Sequence, residues 1–593
     1  MLSSLFEVFL FWCCSIPVFF IGMRLFHTYS GIIRYSTFTD LFRVASALVV
    51  GYSLTGIILL ILRGVGFLSG TISLKSFLLA FFFSMIMMWS FRILVKYLFD
   101  TTSKTKDAKR DFIYGIRDGG ISIAKSMRNE HPLRYLVKGF VSNDPEMQGR
   151  YLVGTHIYAP DSNLVEHMKA EDAELIFISP LLSEEFRNNV ELVDQLMNAG
   201  IKIMMMSSAE NWDGKSRLSH QQLHEVDIED LLPREKIEVD MDAIGTMLRG
   251  KRILITGAAG SIGSEMARQV AKFLPAELIL IDQAETPMHD VRLYMARNHA
   301  DMPCWTIVGS ISNPTHMEEI FKEHKPEYVF HAAAYKHVPM MEDNPAMAVQ
   351  NNIYGTRVIA DLAVKYGTRK FVMISTDKAV NPTNVMGCSK RICEIYCQAL
   401  NAHLQETATP GTTTTQFITT RFGNVLGSNG SVIPIFREQI KKGGPVTVTH
   451  PDIIRFFMLI PEACQLVLEA GTMGHGGEIF VFDMGNPVRI AKLAQRMIEL
   501  SGAKGIEIKY TGLRDGEKLY EEVLNDAEQT KPTVHPKIKV ASVRQYPYEL
   551  ALANEQELHE LSFSYDDMAI VKKMKEIVPE YKSRHSKYEA LDK

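Results

Sequence analysis

Val44 to Leu62 runs without a single charged side chain, and few structures accommodate so long an apolar run. A helix needs about 20 largely apolar residues to cross the hydrocarbon of a bilayer. Two further stretches flank it. One is Val8–Met23, bounded by Glu7 and Arg24; the other is Ser76–Phe91, apolar onward through Leu98, with Arg92 and Lys96 able to snorkel. A buried core helix explains one such stretch but not three in succession. A cleaved leader would need a basic start and a small-residue cleavage site, and the chain has neither. Residues 1–100 are therefore expected to be an anchor of three helices in a lipid bilayer. The spans hold no internal carboxylate, Lys or His of the kind that marks an ion or proton route.

Basic residues in short loops set orientation. The loop after the first span carries Arg24, Arg34 and Arg43, and the segment after the third carries Lys96, Lys104, Lys106, Lys109 and Arg110; the loop between has only Arg63 and Lys75. The N-terminus is expected outside, and everything beyond residue 100 in the cytoplasm, as in a multi-pass protein of the inner (plasma) membrane. Overall, 64 Lys+Arg against 68 Asp+Glu give a net charge of -4, so no global field exists to hold nucleic acid. Seven cysteines without a CxxC pair suit neither a disulfide framework nor structural zinc, and no metal site is expected.

Beyond the anchor, short β-rich runs alternate with helical stretches, which implies parallel sheets and an α/β class. Residues 101–207 read as a first unit. Phe112–Gly115 enters a turn, Gly119-Gly120 opens a helix, and Leu175–Ser179 and Ile201–Met206 are later strands. Arg117 and Asp118 stand where a dinucleotide site has small residues, so the unit is expected to be a degenerate Rossmann-like domain. Residues 208–250 read as a linker and docking segment, which includes the acidic run Glu225–Asp230.

Residues 251–593 carry the strongest local signal. Lys251–Thr256 is a buried-type strand running into Gly257-Ala-Ala-Gly260-Ser261-Ile262-Gly263 and an amphipathic helix from Ser264. Glycine lets the chain turn tightly and bring its amides against a pyrophosphate at a helix N-terminus. The next strand, Leu278–Ile281, ends at Asp282, at the distance beyond the glycine turn where a dinucleotide fold carries its ribose acid. A carboxylate there accepts hydrogen bonds from a ribose diol and repels a 2′-phosphate, so NAD is expected over NADP.

A later strand, Phe371–Ser375, leads directly into Thr376-Asp377-Lys378, and Lys390 follows Met386 by one helical turn. Ligands of a doubly wound sheet sit beyond the carboxyl ends of its strands, so these residues are candidates for chemistry. A short-chain dehydrogenase has Tyr-x-x-x-Lys here. Met386 in the tyrosine position cannot take a proton, while adjacent acid and amine suit elimination of water.

In combination these residues resemble the membrane-anchored, CapD-like polysaccharide-biosynthesis proteins, extended short-chain dehydrogenases that include UDP-N-acetylglucosamine 4,6-dehydratases. The stretches that carry the resemblance are Thr256–Glu265, His331–Pro339, Ser375–Gly387, Thr420–Gly430, Arg455–Met458 and Gly516–Leu519. The resemblance implies two Rossmann-like domains, the second with a small C-terminal nucleotide-sugar lobe. It implies bound NAD, a UDP-sugar substrate, and a 4-keto-6-deoxy product with C5 configuration retained. Thr376 would bind the C4 oxygen, Lys378 remove the C5 proton, Asp377 protonate the departing C6 hydroxyl, and Lys390 hold the nicotinamide ribose; water or Asp377 would take the 4-hydroxyl proton. Lys336, His337 and Glu342 would lie on the sugar side, and Asn424, Arg437, Arg455, Arg514 and Glu517 on the nucleotide side. For His331 and His337 a structural role stands beside a catalytic one.

The chain departs from the family in showing three spans rather than four, Ser310 where a third-strand acid is usual, and Asp515 in place of proline. A homo-oligomer paired through helix faces is expected. The competing readings are a nucleotide-sugar 4-epimerase, which has no need of an acid beside C6, and a non-catalytic membrane scaffold of a glycan-assembly complex. A C5-inverting dehydratase is disfavoured by Met386.

Overall fold

A computed structural model describes residues 2–28, 38–65, 74–102, 108–130, 133–205, 223–226, 228, 237–409, 411–522 and 529–592. Arg34, Lys104, Lys106 and most of the 208–236 segment, which entered the orientation and docking expectations, lie outside the described residues. The chain packs as two units. The first is Met1–Asp111 with Ile121–Gly139 and Leu218–His220; the second is Phe112–Gly120, Phe140–Arg217 and Gln221–Lys593.

In the first unit the three apolar stretches form the helices Leu2–Leu25, Phe38–Gly64 and Leu74–Thr102. Tyr52 binds them together. Its ring meets Phe19, Phe77 and Phe81 edge-on, and its hydroxyl donates to the Ala80 carbonyl at 3.0 Å and pairs with Ser84 Oγ at 2.7 Å. Arg92 does not snorkel outward; it is buried and donates to the Thr28 carbonyl at 2.9 Å, satisfying the end of the first helix. Two helices, Thr39–Gly64 and Phe77–Val95, are long and apolar enough to cross a membrane among the described residues. The first stretch forms a 24-residue helix with Pro17 inside it, of which Ser15–Leu25 is the shorter apolar part.

In the second unit, Leu175–Ile178 and Lys202–Met205 pair in parallel, as the alternating pattern predicts. Helix Val190–Asn198 covers them through Leu192, Val193, Leu196 and Met197. The main sheet has nine strands in the order 304–308, 277–282, 252–256, 328–331, 370–376, 416–422, 479–482, 538–542, 529–532. The first seven are parallel; the last two join antiparallel. Ile253–Ile255, Leu278–Ile281 and Phe371–Met373 are almost fully buried, the signature of strands covered on both faces by helices. Strand order reverses between 252–256 and 328–331, and the crevice at that reversal is where a doubly wound sheet binds ligands.

Helix Val385–Thr407 is buried along nearly all of its stretch from Val385 to Asn401. Helices Tyr548–Ser562 and Asp567–Ile577 pack against it: His403 stacks on Tyr548 at 4.4 Å, and Cys388 Sγ reaches the Met574 carbonyl. The smaller lobe gathers Ile433 and Phe436 of helix Val432–Lys441 with Leu493 and Met497 of helix Ile490–Leu500. Arg496 fixes that lobe to the helix 190–198 through Asp194 Oδ1 at 2.7 Å.

Candidate active site

The glycine-rich turn has the shape the sequence predicts. Gly257 has φ +68, and a Cβ on it would lie 2.6 Å from the Ala333 nitrogen; on Gly263 it would lie 2.1 Å from the Gly257 carbonyl oxygen. Helix Ser261–Ala271 begins at Gly260 with no side-chain cap, so its first amides are left for a ligand. Asp282 Oδ2 accepts from the Ala259 amide at 3.0 Å and Oδ1 from the Ala284 amide at 2.9 Å. Each oxygen keeps a second lone pair. Asp282 lines a narrow cavity of 110 Å³ with Gly309 and Ile311; Ser310 instead bonds Ser312 at 2.8 Å. That cavity shares Gly257, Gly260, Ala332, Ala334 and Tyr335 with a larger one of 770 Å³. Together they form a groove running from Asp282 to the end of strand Lys370–Thr376, and the residues present fit NAD.

Ser261, Ile262, Lys336, His337, Thr376, Lys378, Met386, Lys390 and Asn424 all line the larger cavity. Burial, then the charge of Lys378, pushes the Lys336 ammonium below its ordinary value. His331 does not line the cavity. It is fully buried between Thr256 Oγ1 at 2.8 Å and Thr356 Oγ1 at 2.9 Å, and burial, then Lys390, lowers it to about 3. It is a neutral structural histidine.

Strand Lys370–Thr376 delivers the acid and the amine, and a 3₁₀ turn, Asp377–Ala379, sets them side by side. Thr376 Oγ1 donates to Asp377 Oδ1 at 2.8 Å. Lys378 Nζ meets three acceptors: Asp377 Oδ1 at 3.1 Å, Asn424 Oδ1 at 3.1 Å and Glu521 Oε1 at 2.8 Å. Three acceptors match the three hydrogens of an ammonium. Burial opposes that charge, but Asp377 and Glu521 together outweigh it and raise Lys378 above its usual value. Asp377 is itself raised, first by burial and then by Glu521, against the opposing pull of Lys378. Beneath the strand, Ser375 donates to Glu394 at 2.7 Å, and Glu394 pairs with Arg421 at 2.7 Å, both side chains wholly buried.

A third cavity, of 160 Å³, shares Lys378 and Asn424 with the 770 Å³ one and is lined by Arg455, Arg514 and Glu517. Arg455 is engaged in building its wall: it reaches Glu521 at 3.1 Å, Glu517 at 3.3 Å and the Lys518 carbonyl at 2.7 Å. Two sequence candidates stand elsewhere. Glu342 is buried behind the wall, accepting from the Val385 amide at 2.6 Å and the Ser586 hydroxyl at 2.7 Å. Its carboxylate caps a helix start instead of facing sugar. Arg437 is exposed on its helix and lines neither cavity, because the apolar face of that helix, Ile433 and Phe436, turns inward.

Sequence reasoning missed two residues. Asn352 sits in a π-helical segment, Ala348–Tyr354, and clamps the backbone of the cavity residue Tyr335 at 2.7 and 3.0 Å while donating to Ser389 at 3.0 Å. Glu521 lies far along the chain from Lys378, and only folding brings it there.

Residues 253–543 match the family model described as polysaccharide biosynthesis protein. The capsular polysaccharide biosynthesis protein CapD of Staphylococcus aureus is 41% identical over 448 residues, 74% of this chain and 72% of that one. The chain belongs to the CapD-like polysaccharide-biosynthesis family. Within this family setting, the catalytic part is also similar to a UDP-glucose 4-epimerase of Rickettsia massiliae, 35% identical over 48% of this chain and 81% of that one. A dTDP-glucose 4,6-dehydratase, DesIV from Streptomyces venezuelae, solved with NAD and TYD bound, aligns over 45% of this CapD-like chain and 86% of its own, at 21% identity and TM-score 0.40.

Proposed function

We propose that this CapD-like protein is an NAD-dependent 4,6-dehydratase of UDP-N-acetylglucosamine that retains C5 configuration and serves surface-polysaccharide synthesis. The observation that carries the reading is the acid–amine pair: Asp377 and Lys378 stand 3.1 Å apart at the head of strand Lys370–Thr376, Asp377 buried and Lys378 on the cavity that Met386 lines where a tyrosine would serve a dehydrogenase or epimerase.

NAD, when bound, supplies a hydride acceptor and then a hydride donor. The amides of Gly260–Gly263 hold its pyrophosphate, Asp282 its adenosine ribose and Lys390 its nicotinamide ribose. Thr376 holds the sugar C4 oxygen. Its hydroxyl already donates to Asp377, so the 4-hydroxyl proton has a path through Thr376 to Asp377 that needs no tyrosine. Asp377, raised by burial and Glu521, then returns that proton to the departing C6 hydroxyl as water leaves. Lys378 takes the C5 proton and gives it back on the same face. An ammonium cannot take a proton, so Lys378, held by three acceptors, must first release a proton to solvent as the sugar binds, and the neutral amine is then the base. Lys336 and His337 line the 770 Å³ cavity and serve the sugar in this reading, and Arg514 and Glu517 line the 160 Å³ one and serve the nucleotide.

The CapD-like protein works at a membrane, anchored by its apolar helices; three crossings put the N-terminus outside and the site in the cytoplasm. The test is incubation of the detergent-solubilised full chain with UDP-N-acetylglucosamine, followed by mass spectrometry. Loss of one water is expected. An unchanged mass with a new C4 stereoisomer would make the protein an epimerase. Lys378→Ala is expected to abolish dehydration with NAD still bound, and near-normal turnover in it removes Lys378 from the mechanism.

A further inference from the structure

We infer that Glu521 is a positioning residue of the dehydration step: its buried carboxylate holds Lys378 and Arg455 at once and fixes the amine against Asp377. The inference rests on the reading of Asp377 and Lys378 as acid and base.

Four contacts define the cluster. Glu521 Oε1 lies 2.8 Å from Lys378 Nζ and 3.1 Å from Arg455 Nε, Oε2 accepts from Asn424 Nδ2 at 2.8 Å, and Asn424 Oδ1 accepts from the same Lys378 ammonium at 3.1 Å. The Glu521 side chain is 4% exposed, so water screens little of this. Asp377 Oδ2 is buried with no donor among the described residues, and Glu521 lies within hydrogen-bonding reach of Asp377. Burying three ionisable groups together is costly unless each is paired and bonded. The cluster meets that condition only because Glu521 is present: without it, Arg455 Nε and Asn424 Nδ2 lose this acceptor and Lys378 keeps one carboxylate.

The charged groups facing the pair come from every element around it. Asp377 meets Lys378, Glu521 and, at longer range, Lys518. Lys378 meets Asp377, Glu521, Arg455 and Lys336. Glu521 raises both Asp377 and Lys378, whereas its own carboxyl, pushed up by burial, is held below its usual value by Lys378 and Arg455. Removing the Glu521 charge therefore lowers both members of the pair, and every limb of the pH profile that they control moves the same way.

The experiment uses the full chain in detergent with UDP-N-acetylglucosamine, comparing wild type, Glu521→Gln, Glu521→Asp and Lys378→Ala. In Glu521→Gln, kcat is expected to fall about 100-fold, the order that a 1 Å misplacement of a reacting group costs. Both limbs of its kcat/KM profile move about one pH unit toward acid. Glu521→Asp keeps the charge at shorter reach, so its limbs stay while kcat still falls. Unmoved limbs in a folded, NAD-retaining Glu521→Gln overturn the inference, as does wild-type kcat in Glu521→Asp; the second result decides even if the glutamine variant fails to fold. An active Lys378→Ala strikes the underlying reading instead. An inactive Lys378→Ala beside normal Glu521 variants strikes the inference alone.

Discussion

Replacing Arg421 with methionine removes the counter-charge from Glu394 one layer beneath the catalytic strand. Both side chains are fully buried, with Arg391 at 3.1 Å as the remaining cation. In the native protein, burial pushes the Glu394 carboxyl up, but Arg421, with Arg391 and Ser375, more than offsets this and holds it at about 2, against an ordinary 4.5. At about 1.4 kcal/mol per pH unit, the difference corresponds to about 3 kcal/mol of stability. That matches the roughly 3–5 kcal/mol lost when one partner of a buried pair is removed. A folded-state value below the unfolded one means that this stability is fully present above 4.5 and is lost as pH falls toward 2. In Arg421→Met the Glu394 carboxyl rises, because burial is then opposed only by Arg391 and Ser375. The deficit should be about 3 kcal/mol near pH 7.5 and shrink near pH 5, where the stranded carboxyl protonates. Urea unfolding followed by far-UV circular dichroism at the two pH values measures it. Adding Glu394→Leu should recover most of the loss. An equal deficit at both pH values, or no recovery in the double variant, would show that the charge pair is not what stabilises this layer.

Gly263→Ala places a methyl group 2.1 Å from the Gly257 carbonyl oxygen, so the purified variant is expected to lose bound NAD, read from the nucleotide released on denaturation; stoichiometric retention would count against the cradle. Periplasmic and cytoplasmic reporters fused after Leu25, Gly64 and Thr102 should give a pattern placing residues beyond 102 in the cytoplasm. A cytoplasmic signal at all three positions would refute the crossings.

The fold around the candidate site was legible because its signals are local. Gly257, Gly263 and Asp282 fall within one strand–helix–strand stretch, and each is required by backbone geometry or ligand chemistry at its own position. Thr376, Asp377 and Lys378 are adjacent, and a buried strand points them to the ligand side. What was illegible depends on long-range packing. Glu521 reaches Lys378 only after the loop beyond Gly516 folds back, tied by the Gly516 carbonyl to Thr383 at 2.8 Å and Asn384 at 3.1 Å. Glu342 reads as a polar residue on a sugar-side loop until Ser586 is seen to claim it. Arg455 reads as a free fork until its donors are found spent on Glu517, Glu521 and carbonyls. In the anchor, hydropathy located the helices but missed the inward turn of Arg92, which depends on where the end of the first helix lies.

The ties from residues 580–592 back to the centre of the fold have a consequence for biosynthesis. Ser586 and Tyr588 hold Glu342 through its carboxylate and its carbonyl, and the Arg584 carbonyl receives the Gly516 amide at 2.7 Å. The apolar helices leave the ribosome long before these ties can form, since nearly the whole chain lies between them. The surroundings of Glu342 and Gly516 can therefore close only after residues 584–588 have been made and have docked.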